Sequence, residues 1–168
     1  NGNVFFKYYR TNHIPAVLHI YKKRFRYHLH HRRLESYLVD HMLPIARQIA
    51  ALRSYRALLW FAERVRPVDR TGFFYPALKG IYYLHAGHPR AAYQSLGLAW
   101  KRRGILHAHA TQAELLTAAF FVRTMILLGR TAPAEHLCRS SGLRKHAPEA
   151  YWDLIADLKS REGKWEQV

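Results

Sequence analysis

The 168-residue sequence has few of the residues that build several common kinds of site. Its single cysteine, Cys138, excludes an internal disulfide framework and favours a small apolar residue on a helix. Its longest apolar run, residues 115–128, is interrupted by Arg123 and is shorter than the roughly 18 residues of a membrane-spanning helix. No secretory signal is visible. The sequence therefore predicts neither a disulfide-stabilised fold nor a transmembrane segment.

Acidic residues are also scarce, at 11 against 27 lysines and arginines. Between Asp40 and Glu114 there are only two, Glu63 and Asp69, so paired carboxylates for acid–base chemistry are absent. The sequence has no nucleophile elbow and no glycine-rich phosphate loop. We therefore expect a protein that is not an enzyme and that has no cofactor and no small-molecule substrate.

The excess of cations gives a formal charge of +16. So much charge on a small domain repels itself unless an anionic partner neutralises it, and nucleic acid is favoured over an anionic membrane surface. The net charge is +8 over residues 1–34, +7 over 35–104 and +1 over 105–168. The anionic partner is therefore predicted along the first two thirds of the chain, and the last third resembles ordinary or protein-facing surface.

A basic and aromatic stretch near the start of the chain carries the clearest functional signal. Residues 15–34 are predicted to be helical, and six lysines and arginines there alternate with Tyr21, Phe25 and Tyr27. Cations release counterions from phosphates and aromatic rings stack on unpaired bases, so this composition favours nucleic acid over a solvated basic face. A second basic cluster, 101–103, either extends this surface together with Arg64, Arg66, Arg70 and Arg90, or complements a helix dipole. The predicted RNA-binding residues are Lys7, Arg10, Lys22, Lys23, Arg24, Arg26, Tyr27, His30, His31, Arg32, Arg33, Lys101, Arg102 and Arg103.

Three histidines in the same stretch, His28, His30 and His31, also invite a metal site. Metal sites need a preset cage with supporting outer contacts, whereas here the spacing is loose, the neighbours are cations and no cysteine or carboxylate joins. We therefore predict no metal, and expect these histidines to bond to phosphate or to stack on bases.

Helices separated by short breaks are predicted for the rest of the chain. A helical stretch over 35–52 is interrupted near Pro44, and its successors are separated by glycine or proline. No segment has the alternation of a β-strand. Tryptophans at positions 60, 100, 152 and 165 are expected to pack within or between helices. The predicted later helices span 54–66, 71–86, 89–103, 108–128, 132–141 and 148 onwards.

The breaks between helices recur at a nearly constant interval. Predicted turns lie at Arg53, Gly87, Gly129 and Gly163, which are 34, 42 and 34 residues apart. Glycine supplies the left-handed conformation that ends a helix. A small or apolar residue follows each turn by five positions, as close packing on the preceding helix requires: Leu58, Ala92, Ala134 and Val168. Two helices per period of about 34 indicate a helical solenoid, with an irregular helical domain as the alternative.

The residues around these turns resemble two related families. The segments YWDLI (151–155) and GKWE (163–166) resemble the first helix and turn of a pentatricopeptide repeat, and 90–104 resembles the second helix. The series Gly80, Tyr83, Gly87, Ala92 and Ala99 resembles a tetratricopeptide repeat equally well. The resemblance covers roughly 45–168 and implies an all-α fold of antiparallel αα-hairpin repeats. The repeats are too irregular to assign base-specifying residues.

The expected organisation is a basic aromatic N-terminal extension, 1–34, followed by a helical-repeat domain, 35–168. This build resembles that of lineage-specific mitochondrial ribosomal proteins. We therefore expect a structural component of a ribonucleoprotein in the mitochondrial matrix, which contacts rRNA through its N-terminal part and neighbouring proteins through its C-terminal repeats. The alternatives are a free pentatricopeptide-like factor that binds single-stranded RNA, and a tetratricopeptide-like protein scaffold such as an accessory subunit of a respiratory complex. Because the sequence starts at Asn1 and ends within a helical pattern, we expect both ends to be processed or incomplete.

Overall fold

The computed structural model describes residues 14–30, 41, 43–51, 53–103, 112–161 and 163. Within these ranges all regular structure is helical, which confirms the all-α prediction. The described helices are α1 (Ile14–His30), α2 (Leu43–Ala51), α3 (Tyr55–Val65), α4 (Phe74–His85), α5 (Pro89–Lys101), α6 (Gln112–Leu127), α7 (Thr131–Ser140), α8 (Leu143–His146) and α9 (Pro148–Arg161).

Helix α4 begins at Phe74, three residues later than predicted. The Asp69 carboxylate accepts hydrogen bonds from the Thr71 hydroxyl and from the Tyr75 backbone N–H, both at 2.7 Å. This carboxylate binds one of the N–H groups that a first helical turn leaves without a partner. Gly72, with φ of 65°, bends the chain just before the helix. Residues 71–73 therefore form the approach to α4 and are not part of it.

The end of the described chain holds one helix that was predicted and one that was not. Helix α9 begins at Pro148 as expected, because proline lacks only an N–H that has no partner in the first turn. Its predicted apolar stripe is buried and consists of Tyr151, Leu154, Ile155 and Leu158. The four-residue helix α8 was missed, because with Leu143 as its single buried residue it has no period to detect.

The turns after α2, α4 and α6 share one hydrogen-bonding pattern. In each, the N–H that follows a left-handed residue donates to the carbonyl five positions earlier, which is the outer bond of a Schellman motif. The left-handed residues are Arg53 (φ 55°), Gly87 (φ 80°) and Gly129 (φ 72°), all at predicted turn positions. The bonded pairs are Ser54–Ile49 at 3.1 Å, His88–Tyr83 at 2.8 Å and Arg130–Met125 at 2.9 Å.

The helices pack mostly against their neighbours along the chain. Helix α2 contacts α4, α4 contacts α6 and α6 contacts α9, and α2 also contacts α6 directly. Helix α3 packs between α2 and α4, α5 between α4 and α6, and α7 between α6 and α9. Leu58, Ala92 and Ala134, each five residues after a turn, are fully buried as predicted. Helices α4 and α5 approach each other closely, since a Cβ atom on Gly80 would lie 2.5 Å from Cγ of Leu96.

The tryptophan expectation holds for two of the four residues. Trp60 and Trp100 are partly buried and pack against the core. Trp152 is 52% exposed on α9, so it is not packed in the core of the described residues, and packing against a further helix stays a prediction. Its neighbours Tyr151 and Leu154 provide the buried face, and position 152 points away from that face. Trp165 lies outside the described residues.

Candidate nucleic-acid interface

Helix α1 is attached to the helical body by two aromatic residues one turn apart. Tyr21 is buried and its hydroxyl donates a hydrogen bond to Oε1 of Gln48 on α2. Phe25 is fully buried and its ring meets that of Phe61 edge-on, with centroids 5.6 Å apart. Residues four apart share one helix face, so these contacts determine which side of α1 faces α2 and α3.

The same orientation brings cations of α1 to an aromatic ring of α3. Lys22 and Arg26 each follow an anchoring residue by one position, and their charged groups lie 5.1 and 5.9 Å from the centroid of the Trp60 ring. Arg64, one turn further along α3, stacks its guanidinium carbon 3.8 Å from the same centroid. We call Lys22, Arg26, Arg64 and Trp60 the Trp60 cluster. Three cations thus lie within the range of attraction to the electron-rich face of one indole.

No carboxylate of the described residues neutralises this cluster. Among the described residues up to 103, the two acids are Glu63 and Asp69. Asp69 is engaged at the start of α4, and Glu63 accepts a hydrogen bond from the Tyr75 hydroxyl (3.3 Å) and lies 4.0 Å from Arg66. Within the part of the chain that the structure describes, the Trp60 cluster is therefore a concentration of positive charge without a neighbouring carboxylate.

A neighbouring surface on α4 contrasts with the Trp60 cluster because its charges are paired. Lys79 donates a hydrogen bond to the Tyr75 hydroxyl at 3.0 Å, and Tyr75 in turn donates to Glu63. The bond to Tyr75 raises the pKa of Lys79 above its usual value. Arg66 also lies over the Tyr75 ring, at 5.6 Å. The Glu63 carboxylate offsets part of the positive charge of this surface, so we expect the surface to attract an external anion less strongly.

The predicted RNA-binding residues of α1 lie partly within the described residues. Lys22 and Arg26 join the Trp60 cluster, while Lys23, Arg24 and Tyr27 are exposed on the same helix. His30 is the last residue of α1, and its side chain lies outside the described part. Five further predictions lie outside it altogether: Lys7, Arg10, His31, Arg32 and Arg33.

Two of the three predicted residues at the end of α5 already have partners within the chain. Arg102 donates a hydrogen bond from Nη1 to the Gly72 carbonyl at 3.0 Å, and a Cβ on Gly72 would lie only 1.8 Å from that nitrogen. Arg103 stacks 4.2 Å from the Trp100 centroid and donates to the Trp100 carbonyl at 2.9 Å. Lys101 is exposed. RNA contact by all three stays a prediction, but Arg102 also holds the loop before α4 in place.

The role of Trp60 was missed at the sequence level. Trp60 was assigned to packing, and Arg64 only to a possible extension of the basic surface. Their spacing of four residues places the two side chains on one face of a helix, where an arginine can lie over an indole. That spacing was the available signal. The approach of Lys22 and Arg26 from a different helix had no counterpart in the local sequence.

A second surface of the helical body has a different character. A groove of about 460 Å³ lies between α2, α6 and the start of α9. Its lining has both charges, since Arg47 and Arg123 lie opposite Glu149 and Asp153. Arg123 also lies 3.8 Å from Asp157. The groove therefore has no excess of either charge, which fits the near-neutral last third of the sequence.

Other kinds of site find little support in the described part of the chain. Cys138 is fully buried on α7 as predicted, and burial raises the pKa of its thiol to about 11, well above that of a reactive cysteine. No three metal-binding side chains converge anywhere in the described ranges. None of the described helices is both long and apolar enough to cross a bilayer.

Comparison with known proteins finds none that is similar to this chain. The resemblance to pentatricopeptide and tetratricopeptide repeats therefore stays a prediction from the residues themselves. The chain matches no protein-family model, no curated protein and no solved structure.

Proposed function

We propose that this chain is a structural RNA-binding component of a ribonucleoprotein. The observation that carries the proposal is the Trp60 cluster, in which three cations converge on one ring and no carboxylate of the described residues neutralises them. The charges of such an arrangement repel one another at low ionic strength, so an external polyanion would stabilise it. RNA provides that charge as a regular series of phosphates.

The proposal includes the repeat architecture that the sequence predicts. Three turns with the same hydrogen bond, and contacts of α2 with α4, of α4 with α6 and of α6 with α9, support a helical solenoid. The additional contact of α2 with α6 makes the stacking tighter than that of a linear row. The buried residues also correspond from unit to unit. Ala46, Gly80 and Val122 each lie seven positions before a turn, and all three are buried. In this proposal α2–α3, α4–α5 and α6–α7 are successive hairpins, and α9 begins a further one.

The setting that we propose is a mitochondrial ribosome, with RNA contacted by α1 and α3 and proteins contacted by the near-neutral end. A scaffold that binds only proteins is the second candidate. The observation that favours it is Trp152, a large side chain exposed on α9, the helix whose first turns line a groove of mixed charge. Exposed tryptophans are enriched at the centres of protein interfaces. The two candidates differ in whether the basic face itself has an anionic partner.

The test is the salt dependence of RNA binding by the full chain. A variant with Lys22→Gln, Arg26→Gln and Arg64→Gln loses the three cations of the Trp60 cluster. We expect the slope of log affinity against log salt concentration to become shallower by about 2 to 3, since each lost phosphate contact removes about 0.7 to 0.9. Fluorescence anisotropy with a structured RNA at several salt concentrations measures the slope.

A matched control removes the same charges elsewhere. Arg139→Gln, Arg144→Gln and Lys145→Gln also remove two arginines and one lysine, all of them exposed in the near-neutral third. This control should keep nearly the whole slope. Absence of RNA binding at low salt would overturn the proposal, as would equal slopes for the two variants.

A further inference from the structure

We propose that the Trp60 cluster binds the sugar–phosphate backbone of double-helical RNA and does not stack on unpaired bases. This inference rests on the proposed function, because it names the kind of RNA that the same surface takes. It depends on whether the faces of the Trp60 ring and the N–H donors of the guanidinium groups already have contacts within the chain.

The Trp60 ring is not an open platform for a base. Arg64 lies 3.8 Å from its centroid, which is stacking distance, and the groups of Lys22 and Arg26 also lie over the ring. Phe61 meets the ring at 85° with centroids 4.9 Å apart, and Phe25 meets it at 69° and 6.1 Å. An incoming base would have to displace Arg64 before it could stack, whereas a phosphate would meet the cations first.

The stacked arginine is well placed for a phosphate. A guanidinium that lies flat on an indole uses its face and leaves its N–H groups at the edge, in a planar fork that matches phosphate oxygens. Arg64 donates no hydrogen bond to another described residue, so these donors are not engaged within that part of the chain. Trp60 then acts as the support that keeps Arg64 in position.

The compactness of the cluster favours a duplex. All three charged groups lie within 5.9 Å of the centroid of the Trp60 ring. A ligand that contacts all of them therefore needs several phosphates close together. A duplex brings two backbones together and has about twice the charge per length of a single strand. Proteins recognise A-form RNA through phosphates and 2′-hydroxyls across its wide minor groove, whereas unpaired RNA is bound largely through stacked bases.

Tyr27 provides the internal comparison. It is 54% exposed on α1, and its ring meets that of His28 edge-on at 5.4 Å, so much of the side chain is accessible to an incoming base. If the surface bound unpaired bases, Tyr27 would be the residue to stack on them. The two modes of binding therefore depend on different side chains of the same surface.

The experiment compares a labelled RNA hairpin that has a long paired stem with an unpaired RNA of equal length, using the full chain. We expect the hairpin to bind at least about tenfold more tightly. Arg64→Lys keeps the charge but loses the planar fork, and Trp60→Leu removes the support, so each should weaken hairpin binding about tenfold. Tyr27→Ala should change it less than about twofold.

Matched controls separate these effects from general damage. Trp152→Leu removes an exposed tryptophan and Arg139→Lys changes an exposed arginine, both in the near-neutral third, and neither should alter binding. Circular dichroism establishes that each variant is folded, and Arg64→Lys tests the idea even if Trp60→Leu does not fold.

The possible failures are distinguishable. Tighter binding of the unpaired RNA, or a larger loss from Tyr27→Ala than from Arg64→Lys, would overturn the duplex inference and leave the proposed function standing. Binding of neither RNA, with binding to vesicles that contain phosphatidylserine, would overturn both.

Discussion

At the end of α4, His85 has an imidazole enclosed by aromatic rings. Tyr55 stacks on it with centroids 6.4 Å apart, and Phe120 meets it edge-on at 5.9 Å. Its Nε2 atom is buried and has no hydrogen-bond partner in the described part of the chain. Burial, and to a smaller extent the nearby Arg123 guanidinium, lower the pKa of His85 below its usual value.

The lowered pKa of His85 predicts that this one residue makes the stability of the fold sensitive to acid. Because the unfolded chain takes up the proton more readily than the folded one, the contribution of His85 to stability falls as the pH drops below about 6.5. His85→Phe keeps an aromatic ring without the titration, so it should lose less stability than the original between about pH 7.5 and about pH 5.5. Urea unfolding at the two pH values measures the difference.

The control for this comparison is His136→Phe, which alters an exposed histidine on α7. It should leave the pH dependence of stability unchanged. An equal loss of stability on acidification for the original chain and for His85→Phe would show that the buried imidazole is not the cause.

At the scale of elements, the turns between helices determine how the hairpins close. Their positions were predictable because glycine and proline mark helix ends by simple steric rules, and even the Arg53 turn followed from the spacing. The start of α4 was less predictable, because it depends on a carboxylate that reaches six residues ahead. Helix α8 was not predictable, because four residues are too few to show a period.

The Arg53 turn provides a prediction about backbone strain. Arg53 is the only described non-glycine residue with positive φ, a conformation that costs an L-amino acid about 1–2 kcal/mol. Arg53→Gly should therefore stabilise the fold by about 0.5–1 kcal/mol, after the greater freedom of glycine in the unfolded chain is subtracted. The reverse change, Gly87→Ala, should destabilise it by about 1 kcal/mol.

The Gly87→Ala change is informative because its effect comes from backbone conformation and not from packing. A Cβ atom on Gly87 would have no neighbour within 4 Å, so a clash does not contribute. His88→Ala, in the same turn but with φ of −112°, is the control and should have little effect. Denaturant unfolding measures all three variants, and a loss of stability in Arg53→Gly would contradict the strain argument.

At the scale of the whole molecule, the distribution of charge was the most predictable property of the candidate site. Counting residues assigned most of the positive charge to the first two thirds, and the α1 pattern named Lys22 and Arg26, which lie in the Trp60 cluster. The contribution of Trp60 and Arg64 was not predictable, because the approach of α1 to α3 joins residues more than 30 positions apart. Periodicity describes one helix at a time and contains no information on which helices meet.

The uneven charge leads to a prediction about the free protein. With a formal charge of +16 concentrated in the first two thirds, the folded chain repels itself, and salt screens that repulsion. The melting temperature should therefore rise as sodium chloride increases from about 20 mM to about 200 mM. Scanning calorimetry or circular dichroism measures the shift.

The two triple-glutamine variants described above serve as a matched pair here. The variant that lacks the cations of the Trp60 cluster should have a smaller rise in melting temperature than the variant changed at Arg139, Arg144 and Lys145. A melting temperature that falls with salt in the original chain would contradict the self-repulsion argument.

The hydrogen bond between Arg102 and Gly72 also has a consequence for how this protein can diverge. The guanidinium occupies the space where a side chain at position 72 would lie, so any other residue there excludes Arg102 from its present place. A side chain at position 72 would displace the end of Arg102 and break its bond to the Gly72 carbonyl. We therefore expect Gly72 to be retained wherever Arg102, 30 positions away, holds this loop.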